Sequence, residues 1–426
     1  MNAAALVVDD GSPTITGGTL TLSGTGGSIT VNTGTTTINS ALAGTVGVTK
    51  NGTGTLIFGG ANTFTGATLV SAGTIQSNAS NTLHSGSDLT IASGTTFQFG
   101  TGSLTQSVAT LSGAGNIGLN TSALTTTTNT NATLSGVISG GSGSSFTKAG
   151  SSTLTLSGSS ANTYTGTTNI TGGTLALNKT AGVNAIAGGT INVSSGATLS
   201  ILANEQIANS SNLNLNSGST LQLNGFKETL NALTSSGTIS LGTGGHLAVG
   251  ANNGNSTIGG SLTGSGTLEK LGSGSLTFNS SLSISGELLI GGGTVNLNGY
   301  NLTATTLRIT ADSVIDFGAG ASLLDVDNLI IEGSFKLTIT GWNDYVDFFF
   351  ADNFSGATLY TGSPPNNIRG TGAAGRVEFN GPGSGSSTIW QGYDKQITPV
   401  PEPATYGALL MASAIGTFFC IRRRRA

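Results

Sequence analysis

The chain has 426 residues, of which only 8% are charged, with a formal net charge of −4 and 69 glycines. Basic residues are few and their only cluster is Arg422–Arg425 at the chain end, which argues against a nucleic-acid partner. A disordered chain would be rich in charge and poor in β-branched residues, whereas Thr, Val and Ile abound here, so the composition points to β-structure. The single cysteine, Cys420, cannot form an internal disulfide, and the fold must rest on hydrogen bonds and packing.

At the start, Met1–Asp10 has neither a basic segment nor an adequate apolar run, and the first lysine is Lys50. This is not a signal peptide, and the expectation is a misplaced start or a fragment of a longer chain.

Repeats begin at Lys50. Lys50-Asn51-Gly52-Thr53-Gly54-Thr55-Leu56-Ile57-Phe58 matches Lys270-Leu271-Gly272-Ser273-Gly274-Ser275-Leu276-Thr277-Phe278. At the same offset, Gly66 meets Gly286 and Gly73-Thr74-Ile75 meets Gly293-Thr294-Val295. A middle copy starts at Lys148, runs through Leu154-Thr155-Leu156, and repeats Ala61-Asn62-Thr63-Phe64-Thr65-Gly66 as Ala161-Asn162-Thr163-Tyr164-Thr165-Gly166. Self-similarity of this kind implies stacked units rather than a globular core.

A second, related unit lies between these copies. Leu89–Phe97, Ile191–Leu199 and Leu213–Leu221 each read as a short alternating strand, a Ser-Gly corner and another short strand. Alternation turns one apolar row inward and a Thr/Ser/Asn row outward. Such units cannot bury an apolar face alone. Stacked in a coil, each strand pairs with its equivalents in the turns above and below.

The expected fold is all-β, a right-handed parallel β-helix (solenoid) over residues 1–340, with a β-sandwich array as the competing architecture. With roughly 20 residues per turn and about 4.8 Å of rise, residues 11–340 would make a rod on the order of 80 Å.

The Lys-x-Gly-x-Gly-Thr-Leu, Ala-Asn-Thr-Phe-Thr-Gly and Ala-Gly-Thr-Ile elements resemble the autotransporter-associated β-strand repeat, over roughly residues 41–76, 134–177 and 262–297. The third copy departs most, with Ser281-Leu282-Ser283-Ile284-Ser285-Gly286 in place of the Ala-Asn-Thr-Phe element. The resemblance implies a β-helical surface passenger. True autotransporters close on a membrane β-barrel ending in an aromatic residue; here the end is Arg and Ala, so the export route must differ.

Material for catalysis is scarce. His84 and His246 sit beside Gly/Ser corners without metal-ligand spacing and read as loop residues. Asp325 and Asp327 alternate on one strand face, which suits a solvated surface better than a Ca²⁺ site, since no glycine-rich nonapeptide series accompanies them. Glu287, Arg308, Asp312 and Asp316 are scattered, and no nucleophile elbow or phosphate loop is present. No catalytic residue, cofactor or metal site is expected.

Aromatic residues concentrate in 341–395: Trp342, Tyr345, Phe348, Phe349, Phe350, Phe354, Tyr360, Phe379, Trp390 and Tyr393. They suit an aromatic-rich C-terminal cap over the last turn, with a sugar-binding platform as the alternative. Residues 396–426 differ again. Pro401-Glu402-Pro403 leads into an apolar run over 404–421, just long enough for a single C-terminal transmembrane helix, and Arg422, Arg423, Arg424 and Arg425 follow it. Those charges should stay cytoplasmic and leave the preceding chain outside. Cys420 fills this run, with lipidation as an alternative.

This tail resembles the PEP-CTERM sorting signal of Gram-negative bacteria. The resemblance implies recognition by an exosortase, cleavage near Pro401–Pro403, and only transient anchoring in the inner membrane. The sequence as a whole therefore suggests an exported, non-enzymatic surface or extracellular-matrix protein, adhesive or associated with polysaccharide. A β-helical polysaccharide lyase or hydrolase is the competing function.

Overall fold

The computed structural model describes residues 2–24, 26–343, 346–355, 367–369, 376–379, 388–391 and 396–399. The regular elements among them are β-strands, and the chain divides into two compact units. One comprises residues 1–280 with 284–287, the other 281–283 with 288–426.

The first unit is a parallel β-solenoid. One of its faces is a sheet of 13 strands, from Ala5–Val8 to Ser261–Thr263. A second, of seven strands, runs from Thr14–Ile15 to Ile138–Ser139. A third begins at Thr105–Val108 and passes through Thr167–Ile170 and Asn212–Leu215 to Ser275–Phe278. Lys227–Leu230, His246–Val249 and Thr267–Leu271 open a further face. Strand follows equivalent strand in parallel register, as in Leu154↔Leu175↔Leu199↔Leu221↔Ile239↔Leu262. This parallel pairing excludes the β-sandwich array, whose sheets are antiparallel.

Alternation does what the sequence pattern requires. Strand 153–158 reads Thr-Leu-Thr-Leu-Ser-Gly, and Leu154 and Leu156 are buried while Thr153 and Thr155 face outward. Stacked equivalents form apolar columns, such as Leu56, Ile75, Phe97, Ile117 and Ile138, every one fully buried. Each such side chain contributes about 1.5–3 kcal/mol on burial. The Ser-Gly corners also form as expected: Gly94, Gly196 and Gly218 all have φ of +77°, a conformation that a Cβ disfavours.

Parallel pairing characterises the second unit too. Leu302–Ile309 pairs with Leu323–Ile331, and Ser313–Asp316 pairs with Leu337–Thr340. This ladder continues beyond residue 340, because Phe348–Ser355 joins Leu323–Ile331 and Val377–Phe379 joins Leu337–Thr340. The Trp342 ring packs edge-on against Phe317 and Phe379, with centroids 5.1 and 4.9 Å away. Asn367–Arg369, Thr388–Gln391 and Ile397–Pro399 form a small antiparallel sheet. Tyr345, Tyr360, Tyr393 and the expected membrane helix at 404–421 lie outside the described residues. Among the described residues, no helix is long and apolar enough to cross a membrane.

Candidate functional site

The repeat lysines point inward. Lys50, Lys148 and Lys270 are fully buried, although lysine is rarely so unless its ammonium is satisfied. Lys50 Nζ donates to the carbonyls of Asn51 (2.8 Å), Gly52 (2.7 Å) and Ala72 (3.2 Å). Lys148 repeats this with Ala149 (2.8 Å), Gly150 (3.1 Å) and Gly172 (3.0 Å). Lys270 bonds Leu271 and Gly272 in the same way, at 2.6 and 2.9 Å. The third residue of each Lys-x-Gly is left-handed, with φ of +73° at Gly52, +78° at Gly150 and +64° at Gly272, which turns two successive carbonyls toward one ammonium. Burial pushes all three lysines down to about 8.

Lys50 lies on the 13-stranded sheet, Lys148 on the third face and Lys270 on the fourth. The motif thus encodes a corner rather than a particular face.

The Ala-Asn-Thr-aromatic element supplies the opposite corner, where strand pairing lapses. Asn62 Oδ1 accepts from Leu42 N–H (3.0 Å) in one turn, while Nδ2 donates to Thr82 C=O (3.0 Å) in another. Asn162 does the same between Ile138 (2.9 Å) and Ala185 (2.7 Å). A side-chain amide, half-buried at Asn62 and buried at Asn162, supplies a bond to the turn on each side. Phe64 and Tyr164 fill the interior beside them and are fully buried.

Two further buried polar groups extend this device. Gln206 Oε1 accepts from Lys179 N–H at 2.7 Å, and its Nε2 donates to Asn204 C=O at 3.2 Å. The Glu228 carboxyl accepts from the N–H groups of Gln206 (2.8 Å), Ile207 (3.1 Å) and Thr229 (3.3 Å). Burial pushes Glu228 up to about 8, against the opposing pull of those backbone donors. Sequence reasoning passed over Glu228, although its parity with Leu230 marks an inward position.

The surface histidines divide. His84 is a loop residue as expected, its Nδ1 accepting from Gly86 N–H at 3.1 Å. His246 is not: it opens the strand His246–Val249, and its Nε2 lies 2.7 Å from Glu269 Oε2. Linear spacing hid the pair because parallel stacking brings together residues about one turn apart. Beside it, Lys227 registers with His246, and its Nζ lies 3.6 Å from Glu205 Oε1. In the second unit, Arg308 pairs with Glu332 at 2.9 Å. Asp325 and Asp327 face outward on Leu323–Ile331. Among the described residues, no group of three or more His, Cys, Asp or Glu side chains could hold a metal ion. The sorting residues Pro401, Glu402, Pro403 and Arg422–Arg425 lie outside the described residues.

Comparison with known proteins accounts for both motifs. The passenger-associated-transport-repeat model matches residues 48–76, 146–177 and 268–297, which are the three lysine corners and their following turns. The PEP-CTERM protein-sorting motif matches residues 399–425 and implies processing by an exosortase. The adhesin BmaC autotransporter of Brucella suis biovar 1 (strain 1330) is 44% identical over 100 residues, which is 23% of this chain. The chain spans about 3% of the length of that relative. No solved structure matches. The chain carries three passenger-associated transport repeats and ends in a PEP-CTERM sorting motif.

Proposed function

We propose that this is a non-enzymatic, exported solenoid that works at the cell surface or in the extracellular matrix, in adhesion or in association with polysaccharide. One observation carries the reading. The chemically capable residues of the repeats, Lys50, Lys148, Lys270, Asn62 and Asn162, spend their hydrogen bonds on the backbone of their own and neighbouring turns. The repeats therefore build a scaffold, and the sorting motif gives it an address. Similarity to an adhesin over 100 residues supports the same class of role.

In this reading an exosortase cuts near Pro401–Pro403 after the tail has engaged the inner membrane. Fractionation of the native host tests it. The intact chain should reach the surface, and a variant with Pro401, Glu402 and Pro403 all changed to Ala should stay in the inner membrane. Equal surface display of both would refute the address.

A polysaccharide lyase or hydrolase is the second reading, and the grouping of Glu205, Lys227, His246 and Glu269 favours it. These side chains pair with each other, which is the ordinary behaviour of a surface ion-pair cluster. Release of reducing ends from a polysaccharide panel, abolished in His246→Ala, would establish that reading instead.

A further inference from the structure

On the third face of the first unit, one outward column is continuous in register. At its centre Asn169, Asn192 and Asn214 stack in consecutive turns, with Asn192 Nδ2 donating to Asn169 Oδ1 (3.0 Å) and Asn214 Nδ2 to Asn192 Oδ1 (2.9 Å). Thr125 and Thr147 precede the ladder in register, and Thr234, Thr257 and Thr277 follow it. Two residues back along these strands, a second outward column holds Ser145, Thr167, Thr190 and Asn212, with Ala123 and Ala232 between hydroxyl or amide positions. No outward residue of these strands is charged, aromatic or a large aliphatic.

Those absences sort the partners. Nucleic acid and anionic polysaccharide need lysine or arginine, and the outward rows have neither, the one lysine of these strands, Lys148, being turned inward. A protein partner needs buried aromatic, arginine or large apolar anchors at the centre of its interface, which are also missing. What remains is a sheet of neutral donors and acceptors repeating every ~4.8 Å, the spacing between adjacent strands. That spacing is close to the rise per residue of an extended β-linked glycan, whose hydroxyls both donate and accept.

We infer that this face is a docking surface for an extended neutral polysaccharide lying along the stacked turns. The inference rests on the surface-protein reading above and names its partner. Each contact is weak, because bonds to water are exchanged for bonds to sugar. Affinity comes from repetition along the column.

The test is retention of the full chain on insoluble cellulose and chitin, with polygalacturonate gel as the anionic arm. Retention on one or both neutral glycans should persist from low to molar salt, since no ion pairs are involved. Asn192→Lys, and independently Thr234→Lys, should weaken it at least tenfold. Thr155→Lys, on the 13-stranded sheet, should not change it, and matching thermal transitions would show that all variants fold. Absence of retention on both neutral glycans overturns the inference, as does binding only to polygalacturonate, or equal retention of all three variants. If retention is absent while surface display and adherence persist, only the docking face fails and the broader function stands.

Discussion

The hydroxyls of Tyr164 and Thr168 share a 2.7 Å hydrogen bond in the interior of the middle repeat. In the first repeat the equivalent residues are Phe64 and Thr68, and the buried Thr68 Oγ1 has no hydrogen-bond partner. An unsatisfied buried hydroxyl costs about 1–3 kcal/mol. Phe64→Tyr should therefore stabilise the first repeat by about 0.5–1.5 kcal/mol. Tyr164→Phe should destabilise the middle repeat by a similar amount. Thermal unfolding with hydrogen exchange resolved by turn measures both, and a loss of stability in Phe64→Tyr would contradict the comparison.

Lys148 holds three carbonyls. Lys148→Met keeps the length of the stem and removes every donor, so it should cost about 3 kcal/mol or more. Lys148→Arg should be no rescue, because a planar fork does not reproduce three donors diverging from one nitrogen. Since solenoid stability is nearly additive over turns, exchange should rise first around residues 145–177. Uniform loosening along the chain would show that the corner is not a local clasp.

The pH dependence of stability follows from the buried acid and the buried lysines. Burial raises Glu228 from the ordinary 4.5 to about 8, so between these values the folded state holds the extra proton and stability falls as pH rises. Lys50, Lys148 and Lys270 have folded values near 8 against 10.5, so between those values the unfolded state holds more protons and stability rises with pH. The curve should pass through a minimum near pH 8. Glu228→Gln should flatten the acidic limb only, and a melting temperature that climbs steadily from pH 5 to 8 in the parent chain would oppose this.

The strand–corner–strand unit and its parallel stacking were legible because side-chain parity is local: Leu154 and Leu156 alternate with Thr153 and Thr155 in the chain as they do in space. Lys50, Lys148 and Lys270 were visible as alignment anchors, but not as internal donors. Their role depends on carbonyls supplied by the next turn, such as Ala72 and Gly172. His246 and Glu269 were hidden for the same reason. Their separation in sequence equals about one turn, and only stacking makes them neighbours. In a chain where 8% of residues are charged, three lysines in one repeated context was the signal to read. A charge retained at an inward position needs a buried partner.

Intact mass spectrometry of the product recovered from a native host that has an exosortase bears most directly on the central claim. An exported solenoid released from a transient anchor should end near Pro403 and lack Arg422–Arg425. Recovery of the surface protein with all four terminal arginines would contradict it and make the tail an ordinary anchor.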